Sequence, residues 1–186
     1  MLRISIPTVD QSPAASKPLL EGVNKQLGVI PNLMKMIGNS PAALEGYLSL
    51  NSALAKGKLD VSLRERIALA IAEFNGCSYC LSAHSYLGRN VAKLSDAEMD
   101  SARSAHAENP ETQAVLKFAL RVASEHGRVS DTDVQALRSA GFDDASIVEI
   151  VLNVALNVLT NYINNVAQTT IDFPQVVLKT EYMAAA

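Results

Sequence analysis

Residues 65–84 read ERIALAIAEFNGCSYCLSAH, and this stretch decides the fold class. Its first half is rich in alanine and aliphatic residues at helical spacing, and Asn75-Gly76 then breaks the pattern. A second helical segment begins at Cys77, so the two segments have the order needed for a helical hairpin. Only 5% of the chain is aromatic, and the one weak alternating run, RISIPTV, is confined to residues 3–9. We therefore predict an all-α fold.

Helix caps, prolines and glycines divide the whole chain into short helical segments. They predict helices over residues 17–27, 33–37, 41–56, 62–74, 77–88, 96–106, 110–126, 131–140 and 144–169. Ser62 and Glu65 have the spacing of a capping box at the start of the fourth helix. Residues 1–12 read as an N-terminal arm and residues 175–186 as a C-terminal arm with a frayed end, so we interpret residues 1–186 as a single domain.

Two apolar helices resemble each other weakly. LRERIALAIAEF at residues 63–74 has a counterpart in DASIVEIVLNVAL at residues 144–156, and each follows a helix-start signal. Duplication of a helical unit and chance similarity both account for this, and the sequence leaves the choice open.

The last helix is apolar almost all round, as the run IVEIVLNVALNVL at residues 147–159 shows. It also carries a polar face of asparagines four residues apart: Asn153, Asn157, Asn161, and Asn164 or Asn165. We expect these amides to hydrogen-bond to one another or to neighbouring chains, with a direct role toward substrate as the alternative. A chain of this size has little interior for such a helix, so we also expect a subunit interface of closed symmetry.

Composition excludes several classes of protein. The 186 residues are 48% hydrophobic and 19% charged, which is too apolar for a disordered chain. The net charge of −3 disfavours nucleic acid and anionic membranes as partners. We find no signal-peptide pattern and expect no membrane span, which predicts a cytoplasmic protein. No glycine-rich nucleotide motif is present, so we expect no bound cofactor.

Cys77 and Cys80 form a C-x-x-C motif at the start of a predicted helix. Residues three apart lie on one helix face, so the two sulfurs can meet and form a disulfide. The free N–H groups of a helix's first turn also favour a thiolate, which is the reactive form of cysteine. His84 is four residues after Cys80 and returns to the same face, where an imidazole can accept or donate a proton near neutral pH.

Two carboxylates are candidates to orient His84. Glu65 lies eleven residues before Gly76 and His84 eight after it, so a hairpin at this turn would bring them about level. Glu73 lies only three residues from the turn, and we interpret it as a solvated or turn-region carboxylate. The sequence therefore favours a relay from Glu65 through His84 to the cysteine pair.

The spacing of these four residues resembles a known signature. Glu65, eleven residues, then Cys77, Cys80 and His84 match the pattern of the alkyl hydroperoxidase D-like group of the carboxymuconolactone decarboxylase family. The flanks LGVIPNLMKMIGNSPAALEGYLSL (residues 27–50) and ALRSAGFDDASIVEIVLNVALNVLTNYINN (residues 136–165) are similar to the peroxidase-related subgroup of that family. The resemblance covers most of residues 20–170.

The resemblance implies a helical bundle that assembles as a homo-oligomer, a trimer or hexamer. It also implies a thiol peroxidase or disulfide reductase in which one cysteine attacks a hydroperoxide and becomes a sulfenic acid. The other cysteine resolves it to a disulfide, and an external dithiol or lipoyl-type reductant restores the pair. Glu65 and His84 would act as the proton relay, with neither metal nor cofactor. Family members that decarboxylate lactones typically lack the cysteine pair.

One departure and several alternatives remain at this stage. Tyr79 stands where the best-known hydroperoxidases of the group carry a histidine, so we regard it as an auxiliary residue only. Helix-start stabilisation favours Cys77 as the attacking thiol and the nearby His84 favours Cys80; we prefer Cys80. The alternatives to a peroxidase are a redox-sensing or interaction member of the same fold, a lactone decarboxylase-like enzyme, and a zinc site completed by His106 or His126.

Overall fold

The computed structural model describes residues 2–179, and this part of the chain consists of nine α-helices with no β-strand. The predicted all-α fold is confirmed. The helices are α1 (Lys17–Leu27), α2 (Asn32–Ile37), α3 (Pro41–Leu54), α4 (Val61–Phe74), α5 (Ser78–Asn90), α6 (Asp96–Arg103), α7 (Pro110–Ser124), α8 (Asp131–Ser139) and α9 (Asp144–Ala167).

Side-chain caps set most helix starts. Ser40 and Asn109 cap α3 and α7 just before a proline, and Ser95 and Ser130 form capping boxes at α6 and α8. These four starts lie where the sequence signals place them.

The start of α4 differs from the prediction. Asp60, not Ser62, is its N-cap residue, and Oδ1 of Asp60 accepts the backbone N–H of Leu63 at 2.7 Å. The predicted capping box between Ser62 and Glu65 is therefore wrong. The physical consequence is that the carboxylate of Glu65 points away from its own helix start and is available to a partner on another helix.

Helix α4 lies at the centre of the bundle. It contacts α5, α6, α7 and α9, and every residue from 67 to 73 is buried. α4 and α5 pack along each other as the hairpin that the sequence suggested. In contrast, α9 is followed by an extended segment, so the two similar apolar helices α4 and α9 do not open equivalent helical pairs.

Helix α9 has 24 residues and a mean hydropathy of 1.5 in its most apolar window. By length and composition alone it could cross a membrane, which corrects the expectation that no stretch would pass this test. In the bundle, however, α9 packs against α3, α4, α5 and α7 and contributes buried residues along its length. Its packing is that of a core helix in a helical domain.

Both arms lie against the bundle. The N–H of Arg3 donates to the carbonyl of Ala167, which joins the N-terminal arm to the end of α9. Residues 168–179, named here the C-terminal segment, contain no helix and reach α4, α5 and α6. The predicted frayed tail at residues 180–186 lies outside the described residues.

Candidate active site

Cys77 stands at the start of α5, directly after the turn that ends α4. Gly76 in this turn has a φ of +61°, in the left-handed region that favours glycine. Cys77 is the N-cap residue of α5, and its Sγ accepts the backbone N–H of Cys80 at 3.3 Å. The two cysteines form a disulfide with their Cα atoms 5.3 Å apart, and both are buried. The C-x-x-C motif is thus closed across the first turn of a helix.

Glu65 on α4 and His84 on α5 meet across the hairpin. Nδ1 of His84 lies 2.8 Å from Oε2 of Glu65, and both side chains are largely shielded from solvent. Because an ionised carboxylate can only accept, Nδ1 is the donor and Nε2 is left for another partner. The structure brings together the two residues that the hairpin argument places level with each other.

The Glu65–His84 pair does not bond to the sulfurs. Within residues 2–179, the imidazole of His84 has a single hydrogen bond, to Glu65, and each sulfur accepts from a different donor. Beside the pair lies a cavity of about 50 Å³, which is large enough to hold water. The other polar residues that line it are Tyr47 and Asn51 on α3, Arg64 on α4, and Asn153, Asn157 and Thr160 on α9.

Tyr47 is a residue of this cavity that sequence reasoning missed. Burial raises the pKa of Tyr47 to about 12, and the negative charge of Glu65 adds to the effect. The phenol therefore stays protonated throughout the neutral range and faces the cavity as a neutral polar group. The sequence holds no signal for this residue, because α3 reaches the site only through tertiary packing.

The asparagine face of α9 packs toward the α4–α5 hairpin, and its amides bond to α9 carbonyls, to Asn75 and to Cys80 rather than to one another's side chains as expected. Asn153 and Asn157 bond to carbonyls of their own helix. Asn161 and Asn165 bond to Asn75 in the turn before the cysteines. Asn164 donates from Nδ2 to Sγ of Cys80 at 3.3 Å. One end of this face therefore lines the cavity and the other end contacts the disulfide region.

Tyr79, the predicted auxiliary residue, bonds elsewhere. Its hydroxyl donates to Oδ1 of Asp172 at 2.8 Å and accepts the backbone N–H of Leu33 at 3.1 Å. Burial raises the pKa of Tyr79 well above its usual value, so the hydroxyl stays protonated. Its ring also packs edge-on against Phe173. Tyr79 thus attaches the C-terminal segment to α5, and its auxiliary role in chemistry stays a prediction.

Glu73 corrects a second expectation. It is 6% exposed rather than solvated, and its Oε2 lies 2.7 Å from Nε of Arg103 on α6. Its other oxygen accepts the backbone N–H of Lys179 at 2.6 Å. A buried carboxylate needs such partners because desolvation is costly. Glu73 therefore anchors α6 and the C-terminal segment to α4 rather than serving His84.

Metal binding has no support in the part of the chain that the structure describes. No group of three or more histidine, cysteine, aspartate or glutamate side chains there is arranged to hold an ion. The zinc site considered from the sequence requires free thiolates at Cys77 and Cys80, and these residues are bonded to each other.

The fold and the site define a class of protein: an all-helical bundle with a buried C-x-x-C disulfide at a helix start and a Glu–His pair in the same hairpin. The model of the carboxymuconolactone decarboxylase family matches residues 41–125, which include all four of these side chains. Over this part of its length the chain is similar to the carboxymuconolactone decarboxylase family.

Several solved structures share the fold. An uncharacterized peroxidase-related protein from Ralstonia eutropha JMP134, with an alkylhydroperoxidase AhpD core, is 26% identical over 92% of each chain, with a TM-score of 0.83. An uncharacterized peroxidase-related protein from Silicibacter sp. TM1040 is 22% identical over 91% of each chain, with a TM-score of 0.80. The debrominase Bmp8 is 20% identical over 86% of this chain and 87% of its own, with a TM-score of 0.72. No curated protein matches the sequence.

Proposed function

We propose that this protein is a thiol-dependent peroxidase or disulfide oxidoreductase that reduces hydroperoxides through Cys77 and Cys80. The observation that carries the proposal is the closed C-x-x-C disulfide at the start of α5, in the same hairpin as the Glu65–His84 pair. A dithiol that closes without backbone rearrangement suits repeated oxidation and reduction. The match to the family model supports a peroxidase-related or decarboxylase-like chemistry, and the cysteine pair favours the first.

The reaction begins from the reduced protein. The Cys80 thiolate attacks one oxygen of the hydroperoxide, the O–O bond breaks, and the alcohol leaves after taking up one proton. Cys80 is then a sulfenic acid. The Cys77 thiolate attacks its sulfur, hydroxide leaves as water after taking up a second proton, and the disulfide forms. An external dithiol or lipoyl-type reductant returns two electrons and two protons, so no bound cofactor is required.

Glu65 and His84 form the proposed proton relay. Glu65 holds the imidazole through Nδ1 and stabilises its protonated form, so Nε2 is the position that exchanges a proton with the reacting groups. Since His84 has no hydrogen bond to either sulfur in the described residues, a water or the hydroperoxide itself must bridge them. The adjacent cavity of about 50 Å³ can hold a water beside His84, and neither cysteine lines it.

The reductant must reach a shielded disulfide. Both sulfurs belong to buried residues, and the C-terminal segment bonds to Tyr79 and Ser82 on the same helix. A small dithiol, or a lipoyl group on a flexible arm, can reach these buried sulfurs more readily than a bulky protein surface can. We also propose that the reaction takes place in the cytoplasm, where dithiol reductants keep thiols reduced.

We also propose that the protein is a homo-oligomer, a trimer or hexamer, assembled through α9. Exposed apolar residues follow one another on this helix at alternating spacings of four and three residues, which is the seam pattern of packed helices. They are Val148, Leu152, Ala155, Leu159, Tyr162 and Val166. Copies of the same seam are its natural partners, because equivalent helices meet around the axis of a closed symmetric assembly.

The seam is tested by sedimentation of the double variant Leu159→Lys/Val166→Lys. We expect this variant to sediment as a smaller species than the unmodified protein. Leu27→Lys, at an exposed leucine on α1, is the matched control and leaves the oligomer intact. A monomeric unmodified protein at micromolar concentration would contradict the assembly.

The activity is tested by following peroxide consumption with several dithiol donors, including a dihydrolipoyl compound, and the thiol state by mass. Cys77→Ser and Cys80→Ser should each abolish turnover. An unchanged rate in both variants would sink the proposal. Reversible oxidation without turnover would favour the redox-sensing alternative, and lactone decarboxylation that survives both substitutions would favour the decarboxylase-like one.

A further inference from the structure

The side chain of Asn164 contacts Cys80, and no step of the proposed reaction uses it. Nδ2 of this amide lies 3.3 Å from Sγ of Cys80, although 84 residues separate the two in the chain. Asn164 is 3% exposed, so the contact is shielded from water. A polar side chain buried this deeply against a reactive sulfur invites a functional explanation.

The orientation of the amide is determined by the sulfur. A disulfide sulfur carries no hydrogen, so only the NH₂ side of an asparagine can hydrogen-bond to it. Oδ1 of the same amide is buried and has no hydrogen-bond partner within residues 2–179. An unsatisfied buried acceptor destabilises a fold. In this fold Oδ1 stays unsatisfied while Nδ2 makes its hydrogen bond to Cys80.

Two neighbouring amides hold α9 in the register that this contact needs. Nδ2 of Asn75 donates to Oδ1 of Asn161 at 2.9 Å, and Nδ2 of Asn165 donates to the carbonyl of Asn75 at 2.9 Å. Asn75 lies two residues before Cys77. The turn that positions the cysteine pair is therefore bonded to the same stretch of α9 that presents Asn164.

We propose that Asn164 is a positioning residue for the redox reaction, which donates a hydrogen bond to Cys80 and stabilises its thiolate in the reduced protein. This inference rests on the proposed function. A hydrogen bond to a charged acceptor is stronger than one to a neutral acceptor, so the thiolate gains more from Asn164 than the disulfide does. Asn164 therefore lowers the pKa of the Cys80 thiol and favours the reduced pair over the disulfide.

The surroundings leave this role to a neutral donor. Three pairs of ionisable side chains on these elements bond to each other and not to sulfur: Glu65–His84, Glu73–Arg103 and Tyr79–Asp172. Arg64 on α4 lines the cavity beside Glu65 and His84, with its Nε buried and without a hydrogen-bond partner within residues 2–179. No charged side chain in this part of the chain donates to either sulfur. The residues that α9 presents here, Asn161, Asn164 and Asn165, carry no charge. Cys77 is the remaining titratable neighbour, and its sulfur already accepts the N–H of Cys80. Each sulfur thus has one donor, from the backbone for Cys77 and from Asn164 for Cys80.

The titration of Cys80 alone tests the proposal. In a Cys77→Ser background, the ultraviolet absorbance of the thiolate is followed against pH. We expect Asn164→Leu to raise the midpoint by about one pH unit, the size of one lost hydrogen bond to a charged group. Asn164→Asp keeps the shape but replaces the donor with a negative charge, so its midpoint should rise at least as far. With both cysteines present, Asn164→Leu should increase the equilibrium constant for disulfide formation against a reference thiol about tenfold at alkaline pH.

Asn153→Leu is the matched control, because Asn153 is a buried amide on the same helix that bonds to the carbonyl of Glu149 and neither to the turn nor to sulfur. The proposal is overturned if both Asn164 variants leave the midpoint unchanged, or if Asn153→Leu shifts it equally. Circular dichroism checks that each variant is folded. If Asn164→Leu does not fold, the titration midpoint of Asn164→Asp tests the proposal. None of these measurements involves a peroxide, so a protein without peroxidase turnover would still show the shift.

Discussion

The hydroxyl of Tyr79, which lies between the two cysteines in sequence, donates a 2.8 Å hydrogen bond to Asp172 in the C-terminal segment. The other oxygen of Asp172 accepts the backbone N–H of Asn32 at 2.7 Å, and the N–H of Leu33 donates to Tyr79. One carboxylate and one phenol therefore join α2, α5 and the C-terminal segment at a single point. Because α5 carries the disulfide, this junction bears on both stability and access to the sulfurs.

Tyr79→Phe should weaken this junction. The variant removes the donor to Asp172 and the acceptor for Leu33, and we expect a loss of about 1–3 kcal/mol in the free energy of unfolding. We also expect faster reduction of the Cys77–Cys80 disulfide by a small dithiol, because the segment would detach from α5 more often. Denaturant titration and stopped-flow reduction measure the two effects. Tyr162→Phe is the control, because it removes a hydroxyl that has no hydrogen bond within residues 2–179 and keeps the ring in the proposed α9 seam. Equal behaviour of the two variants would refute the assignment.

The Glu65–His84 pair predicts a defined loss of rate. Glu65→Gln retains an acceptor for Nδ1 but removes the charge that stabilises the imidazolium, and His84→Ala removes the proton carrier. We expect turnover to fall by about a hundredfold or more in each, with the folded state retained. His106→Ala is the control for histidine removal, and a His84→Ala rate matching it would exclude the relay.

The buried ion pair between Glu73 and Arg103 predicts a strong effect on stability. Arg103→Met leaves the Glu73 carboxylate without its cationic partner, and we expect a loss of about 3–5 kcal/mol in the free energy of unfolding. The double variant Glu73→Gln/Arg103→Met should recover part of this loss, since it leaves no charge buried alone. Thermal and denaturant unfolding rank the unmodified protein, the double variant and Arg103→Met by stability, in that expected order. A double variant no more stable than Arg103→Met would contradict the explanation.

The raised pKa of Tyr47 predicts a loss of stability at alkaline pH. In the folded state the pKa of the phenol is about 12, whereas the unfolded chain ionises near the ordinary tyrosine pKa of 10.0. Between these values the unfolded state binds fewer protons, so the free energy of unfolding falls as pH rises from 10 toward 12. Tyr47→Phe should flatten this part of the stability curve. An unchanged alkaline slope in the variant would show that Tyr47 does not cause it.

The helices follow closely from local sequence signals. Ser40-Pro41, Ser95, Asn109-Pro110 and Ser130 mark starts that the structure confirms, because a cap acts within three residues of itself. The start of α4 shows where this reasoning fails. Asp60 and Ser62 both have suitable side chains, and which of them caps the helix depends on the path of the preceding loop.

Glu73 shows a different limit. From sequence, a carboxylate near a turn is expected to be solvated. The hydrogen bonds from Arg103 and from the backbone of the C-terminal segment offset the desolvation of the Glu73 carboxylate, and both partners come from distant parts of the chain. Tyr47 and Asn164 carry no local signal either. Tyr47 lies in an ordinary amphipathic helix, and the asparagine pattern of α9 indicates a polar face without naming what that face contacts.

The sequence by itself determined the all-α class, the C-x-x-C closed across one helical turn, and the level placement of Glu65 and His84 in a hairpin. These features follow from the helical repeat and a turn, which act over fewer than about twenty residues. Tertiary structure alone decided that Asn164 faces Cys80, that Tyr47 joins the cavity, and that Asp172 meets Tyr79. Such contacts depend on which faces of distant helices pack together, and that choice is made by burial of the whole core rather than by any local pattern.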